Sequence, residues 1–549
     1  MIVKKKTRLS VALAAAALSV AMALTGCSSS SNSSGGSSTA GSTTAVISAN
    51  TTEPQNPLIP GNTNEVGGGK VVDLLWAGLI SYEPDGTTKN EVAQSIDTTD
   101  NKTFTVKLKD WKFSNGEPVT AHSFVDAWNY TALSTNAQLN AAFPTLTQIE
   151  GYDAVSADKP TAQTLSGLKV IDDKTFTITL TAPSSTFPLS LGYSAFYPLP
   201  KEAFSDMKAF GEKPIGDGPY TLSSWQHNKE IDLAPNPDYN GNRKAANGGV
   251  KLVIYTDLNA AYSDVQAGNL DVLDQVPASA LSTYTTDDTV QAISKPGSVF
   301  QSFTIPQSLD HFGNNEEGRL RRQAISEAID RPTITKTIFS GSRTPAVDFT
   351  APVIPGYNGK LSGNGTLSYN PSDAKAKWAQ ADAISKFDGT FNIAYNADGD
   401  HKAWVDAVAN SIKNTLGIQA QGQPIATFSD FRSQITKRQL KSAFRSGWQA
   451  DYPSADDYLA PLYATAKPGT SSNDGDYSNP DFDKAIADAE AATSASDRQK
   501  FYDQAQEILL KDLPAIPLWY QNVSAVSAKG TKNVAFNYQN VPVYNAITK

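Results

Sequence analysis

The sequence predicts a mixed α/β protein, and three observations carry that reading. Short stretches with strict apolar–polar alternation, the period of half-buried strands, occur beside longer stretches with apolar residues at helical spacing. Neither kind dominates. The chain of 549 residues is 40% hydrophobic, a composition typical of globular proteins. At roughly 150 residues per domain, it is long enough for three domains or lobes.

The elements are taken in chain order. Lys4, Lys5, Lys6 and Arg8 form a basic start, Leu9–Leu24 carries no charge, and small residues precede Cys27, the single cysteine of the chain. This is the layout of an export signal. The uncharged run is shorter than the roughly 20 residues that a stable bilayer-spanning helix needs, which favours a cleaved leader, residues 1–26, over a permanent membrane helix. Leu24-Thr25-Gly26-Cys27 resembles the bacterial lipoprotein lipobox, in which a diacylglycerol-modified cysteine becomes the new amino terminus. One acyl chain anchors only marginally, so firm attachment takes more than one. The resemblance implies a mature chain lipid-anchored to the outer face of the cell membrane. Residues 28–44 are almost entirely Ser, Gly, Thr and Asn. Too polar to bury surface, they read as a disordered tether with an r.m.s. reach of roughly 20–25 Å.

Thr103–Leu108 (TFTVKL) and Thr175–Leu180 (TFTITL) place Phe104, Val106, Leu108 and Phe176, Ile178, Leu180 on single faces and predict two similar strands of one small domain. Gly67-Gly68-Gly69-Lys70 lacks the Ser or Thr of a phosphate loop and is expected to bend a loop. Leu320, Ala324, Ile325, Ala328 and Ile329 predict a helix that Pro332 stops. Trp404, Val405, Val408, Ile412 and Leu416 predict another, closed by Gly417. Phe501, Ala505, Ile508 and Leu509 predict a third, ending before Pro514, after which residues 516–520 read as extended.

The formal charge is −9, and removal of the leader would take away four basic residues and no acidic one. Such a surface offers no footprint for nucleic acid. With one cysteine there is no intramolecular disulfide. His122, His227, His311 and His401 are scattered, with no zinc spacing among them. No G-x-S-x-G elbow occurs, and Asn473-Asp474-Gly475-Asp476 lacks a complete calcium-ligand series. No enzymatic activity, metal or cofactor is therefore expected.

Segments spread from residue 45 to residue 549 resemble the peptide/nickel extracytoplasmic solute-binding proteins (family 5) of ABC importers. They are Leu75-Trp76-Ala77-Gly78-Leu79-Ile80 with Glu83-Pro84-Asp85-Gly86 and Ala93-Gln94-Ser95; the block 103–128; Gly216-Asp217-Gly218-Pro219-Tyr220 with Asn236-Pro237-Asp238-Tyr239; and RRQAISEAIDRPTI at 321–334. The resemblance implies a two-lobed, Venus-flytrap fold of the periplasmic-binding-protein kind with an additional small domain. By it, lobe I combines 45–82, 202–305 and 515–549, the small domain is 83–201, and lobe II is 306–514. Hinge strands are expected near Phe300–Ile305 and Ile516–Tyr520.

Phe444-Arg445-Ser446-Gly447-Trp448-Gln449-Ala450-Asp451-Tyr452-Pro453 resembles the ligand segment of that family. The resemblance assigns Asp451 to the ammonium of an extended peptide, residues Gly447, Trp448 and Gln449 to pairing with its main chain, and Trp448 to an aromatic wall. Arg445 matches a guanidinium that takes the carboxylate of a short peptide, with Lys437 and Arg438 as looser candidates. The facing loop Pro60–Glu65 is expected to contribute backbone contacts. The chain departs from the "DYPDP" variant by reading Asp451-Tyr452-Pro453-Ser454-Ala455. The resemblance implies a monomeric receptor that captures short peptides and delivers them to an ABC permease. An oligosaccharide or metal chelate in the same fold, or from another class a surface hydrolase or an adhesin, are the alternatives.

Overall fold

A computed structural model of the chain describes residues 44–549 apart from 64, 139–142, 144–146, 398–400, 427 and 467–471. The leader, Cys27 and the Ser/Gly stretch before residue 44 lie outside the described residues. No helix among those described is long and apolar enough to cross a membrane.

The two alternating segments are strands, with Phe104, Val106, Phe176 and Ile178 buried. They pair with each other, Phe104 opposite Ile178 and Val106 opposite Phe176, at the centre of a 4-stranded antiparallel sheet. Helix Ala121–Ala132 covers that sheet, Phe124 stacking on Phe176 at 6.0 Å. The period of two sets one face apolar against the helix and leaves the other wet.

A larger, 11-stranded sheet runs in the order 419–425, 390–396, 443–448, 290–304, 515–528, 272–273, 46–51, 249–254, 230–235, 220–226, with 343–345 paired to 515–528 off this path. Its central members are the two long strands Val290–Thr304 and Ala515–Ala528, antiparallel along most of their length. Through them the sheet passes from one apolar core to another. One core is drawn mainly from residues 47–252, including the small sheet; a second gathers most of 300–520; a third packs helix Leu258–Ala267 against the far ends of the long strands.

Local rules account for most helix ends. Lys402–Leu416 buries Trp404, Val405, Val408 and Ile412 and stops at Gly417, whose φ of 73° is the left-handed cap that glycine supplies without strain. In Ala495–Asp512 the buried stripe is Tyr502, Ala505, Leu509 and Leu510, with Phe501 and Ile508 at its half-buried border.

Two expectations are corrected. Gly67-Gly68-Gly69 does not bend a loop; it forms the first turn of helix Val66–Leu75. Glu65 caps that helix, its carboxylate accepting from Gly68 N–H at 2.8 Å. A Cβ on Gly67 would lie 2.5 Å from Thr52 Oγ1, and one on Gly68 2.5 Å from Glu65 Oε1, so the glycines serve packing around the cap. Pro332 does not stop the 316–327 helix either. That helix ends at Glu327, and Pro332 occupies the first turn of a new helix, Arg331–Thr337, capped by Asp330. A proline there removes a donor that has no helical partner in any case.

The segment around this junction carries a framework of buried arginines. Arg321 lies 4.6 Å from the Trp378 ring and pairs with Glu317 and Asp382 at 3.0 Å each. Arg322 donates to the carbonyls of Asp512 and Gly313, and Arg331 to those of Pro517, Ser326 and Leu367. Each guanidinium ties its helix to a distant chain segment, Arg321 to Asp382, Arg322 to Asp512 and Arg331 to Pro517.

Candidate functional site

Strand Ala443–Trp448 enters the large sheet between two neighbours but leaves it with one. Residues 390–396 pair with it only at Ala443 and Phe444. On its other side Val290–Thr304 follows it to the end, Gln301 opposite Gly447 and Phe300 opposite Trp448. From Arg445 to Trp448 one main-chain edge therefore has no strand beside it among the described residues. Gly447 is exposed there.

Beyond Trp448 the chain turns into helix Asp456–Tyr463, and the two aspartates that open this helix hold the turn. Asp457 accepts from Trp448 Nε1 at 3.0 Å and from the Asp451 N–H at 2.9 Å. Asp456 accepts from the hydroxyls of Tyr452 at 2.7 Å and Thr186 at 3.3 Å. The Tyr538 hydroxyl donates to the Asp451 carbonyl at 3.1 Å. Ala450 belongs to the second core and Tyr452 to the first, so Asp451 stands where the two cores meet.

Its backbone is held on both sides, but no donor meets its carboxylate among the described residues. Asp451 lines a cavity of about 200 Å³ with Thr63, Glu65, Lys70, Tyr193, Gln449 and Gln539. Burial alone pushes the Asp451 carboxyl up to about 6. Asp457, more deeply buried and repelled by Asp451, is raised well above the usual carboxylate range.

The nearest lysine does not relieve this. Burial opposes the charge on Lys70, yet Tyr544 and Asp274 outweigh it and hold its pKa above the ordinary value. Its ammonium is bonded to Asp274 and to the Asn50 carbonyl. Lys70 is thus engaged away from Asp451, and Asp451 forms no ion pair among the described residues.

Of the residues expected at the site, Asp451 and Gln449 share this cavity, Gln449 also donating to the Gln539 carbonyl at 3.0 Å. Trp448 and Gly447 adjoin it without lining it. Arg445 lies farther along the strand, its Nε donating to Asn396 Oδ1 at 2.7 Å and its guanidinium 5.3 Å from the Phe431 ring. Arg438 is engaged with Asp476 at 2.8 Å, and Lys437 is exposed. The Asn473–Asp476 carboxylates face arginines, Asp474 pairing with Arg432 at 2.8 Å. Among the described residues no group of three or more His, Cys, Asp and Glu is arranged to hold a metal ion.

Sequence reasoning missed Asp457, Tyr538 and Gln539. Asp457 carried a faint signal, an acidic pair six residues past Asp451 at a helix start. Tyr538 and Gln539 carried none, because nothing local links them to a turn so distant along the chain. Of the facing loop, Thr63 and Glu65 line the cavity.

The fold and the segments that carry the resemblance place the chain in the class of solute-binding proteins. The chain belongs to the bacterial extracellular solute-binding proteins, family 5, whose model for the middle region matches residues 87–470. Among its relatives is the oligopeptide-binding protein OppA of Bacillus subtilis, 26% identical over 514 residues that cover 88% of this chain and 90% of that protein. The periplasmic oligopeptide-binding protein OppA of Salmonella typhimurium is 28% identical over 463 residues, 81% of each chain. Among solved structures, the unliganded open form of the murein tripeptide-binding protein MppA superposes with a TM-score of 0.81 at 23% identity, covering 92% of this chain and 97% of that one. The chain therefore has the two-lobed α/β fold of these binding proteins.

Proposed function

We propose that the protein captures short peptides between its lobes, holding their free amino terminus at Asp451, and delivers them to an ABC permease without performing chemistry on them. Relatives named as oligopeptide-binding proteins support the ligand class. The observation that carries the reading is Asp451, which lines a cavity and whose desolvated carboxylate has no donor among the described residues. An ammonium brought there replaces lost hydration with a charge-assisted hydrogen bond. The open edge of residues 445–448 offers the peptide main chain an added-strand partner, which gives affinity independent of side chains. Arg445 takes the carboxylate of a short ligand.

The lobes divide as 45–82, 202–305 and 515–549 against 306–514, with 83–201 as the small domain. The paired segments Phe300–Ile305 and Ile516–Tyr520 act as the hinge, and ligand contacts made only when the lobes close drive the closure. Cys27 anchors the monomer to the membrane by lipid, and residues 28–44 give it reach to its permease.

Isothermal titration with a free-amine tripeptide and its N-acetylated form tests the ammonium site. Acetylation leaves Asp451 buried and unpaired, so affinity falls by about 100-fold or more. Equal affinities for the two would remove Asp451 from this role.

A further inference from the structure

One oxygen joins the two parts of the proposed site. Trp448 is the last residue of strand Ala443–Trp448, whose open edge takes the peptide main chain, and Asp451, the ammonium seat, lies just beyond it. Asp457 Oδ2 accepts from Trp448 Nε1 at 3.0 Å and from the Asp451 N–H at 2.9 Å. The same atom therefore grips the end of the strand and the start of the seat, and it sets the span between them.

The mount of that oxygen is rigid. Asp457 lies in the first turn of helix Asp456–Tyr463 and is 3% exposed. The next residue, Tyr458, is fully buried, and its hydroxyl donates to the Ser298 carbonyl at 2.5 Å. Ser298 belongs to the long strand Val290–Thr304, which is also the sheet partner of 444–448. Helix start, long strand and ligand strand thus close into one frame around Asp457. A supporting side chain locked in this way holds a binding group within about half an ångström of its working position.

Position, not charge, is what this aspartate supplies. The ionisable groups that face it are Asp451, Asp456, Tyr82, Tyr452 and Tyr458, with no cation among these. A buried anion so placed is costly, and burial followed by repulsion from Asp451 keeps the Asp457 carboxyl above the usual carboxylate range. Both donors reach one oxygen, so a neutral carboxyl or an amide accepts the two bonds as a carboxylate does.

We infer that Asp457 is a positioning residue for peptide capture: by fixing Asp451 relative to the strand edge, it matches the two contacts that the start of a peptide must make at once. It acts as an acceptor and not as a second ammonium ligand. The strength of the preference for a free amino terminus then depends on a residue that the ligand does not touch. The inference rests on the ammonium site at Asp451 and on the strand edge proposed above.

Titration of the full-length protein and three variants with a free-amine tripeptide and its N-acetylated form tests this. The readout is the ratio of the two affinities in the folded protein, which a general loss of stability does not move. Asp457→Ala removes both bonds and lets the seat shift against the strand, so the ratio is expected to fall by about tenfold or more. Asp457→Asn keeps the accepting oxygen, and its ratio stays within about twofold of wild type. Trp448→Phe keeps a ring but removes the indole donor, and the ratio falls by about threefold or more; with Asp457→Asn it decides the matter where Asp457→Ala does not fold. An unchanged ratio in Asp457→Ala or in Trp448→Phe, or a fall of about tenfold in Asp457→Asn, overturns the positioning role and leaves the ammonium site standing. Equal affinities of the wild-type protein for the two peptides overturn both.

Discussion

At the scale of the residue, the burial of Asp451 carries a cost to stability. Its carboxyl is raised by burial to about 6, so the folded state binds a proton more tightly than the unfolded chain does. The penalty of the charged form is present above that pH and is relieved as pH falls through it. Asp451→Asn should therefore stabilise the ligand-free protein at about pH 7.5, by up to about 3 kcal/mol, with the gain vanishing toward about pH 4. Urea unfolding of both proteins at the two pH values measures it; a variant less stable than wild type at the higher pH would show that the carboxylate has a partner in the folded state. Binding has the opposite sign. Protonation removes the charge that an ammonium needs, so the affinity of wild type for free-amine peptides falls as pH drops below about 6, while that of the Asn variant stays low and flat.

The chemistry of Asp451 was legible in the sequence only through the segment around it. An Asp-Tyr-Pro turn is ordinary in isolation. Its carboxylate lacks a donor because of where Lys70, Tyr538 and Asp457 come to lie, and none of these is its neighbour in sequence.

At the scale of the element, the motifs that made the family recognisable turn out to be chiefly structural. Gly216-Asp217-Gly218 is a seat for the end of helix Val66–Leu75. Asp217 accepts from the Ala77 N–H at 2.9 Å, and its carbonyl accepts from Trp111 Nε1 at 3.1 Å. A Cβ on Gly218 would lie 2.6 Å from the Leu75 carbonyl carbon and from Trp76 N and O. Backbone on both sides leaves no side chain to move aside. Gly218→Ala should cost about 3 kcal/mol in urea unfolding, and a loss below about 0.5 kcal/mol would mean that the two backbones separate freely. Strands and helix faces were readable because period two and period 3.6 are local. The Gly67–Gly69 turn and Pro332 were misread for a related reason: glycine and proline signal a change of backbone, and only the neighbours decide whether that change ends an element or begins one. Thr52 and Glu65 decided the first case, Asp330 the second.

At the scale of the whole molecule, the leader and Cys27 make a prediction independent of the folded body. Cys27→Ser abolishes the only thiol of the chain. Incorporation of labelled fatty acid should be lost and the protein should move from the membrane fraction to the soluble one; retention of label in the variant would place the lipid elsewhere. The sheet gives the folded body its working geometry, because two long paired strands carry it from one core to the other and leave Asp451 at their junction.

The amino-acid sequence by itself determined the mixed α/β class, the position of the principal strands and helices, and the segments by which the family is recognised. These are properties of short windows, where periodicity, capping residues and unbroken motifs act over a few positions. Only the tertiary structure decided that Asp451 comes to line one cavity with Thr63, Tyr193 and Gln539, and that Lys70 of the same cavity is held by Asp274. Desolvation and pairing depend on every atom within a few ångströms, and those atoms come from parts of the chain that meet only when it folds.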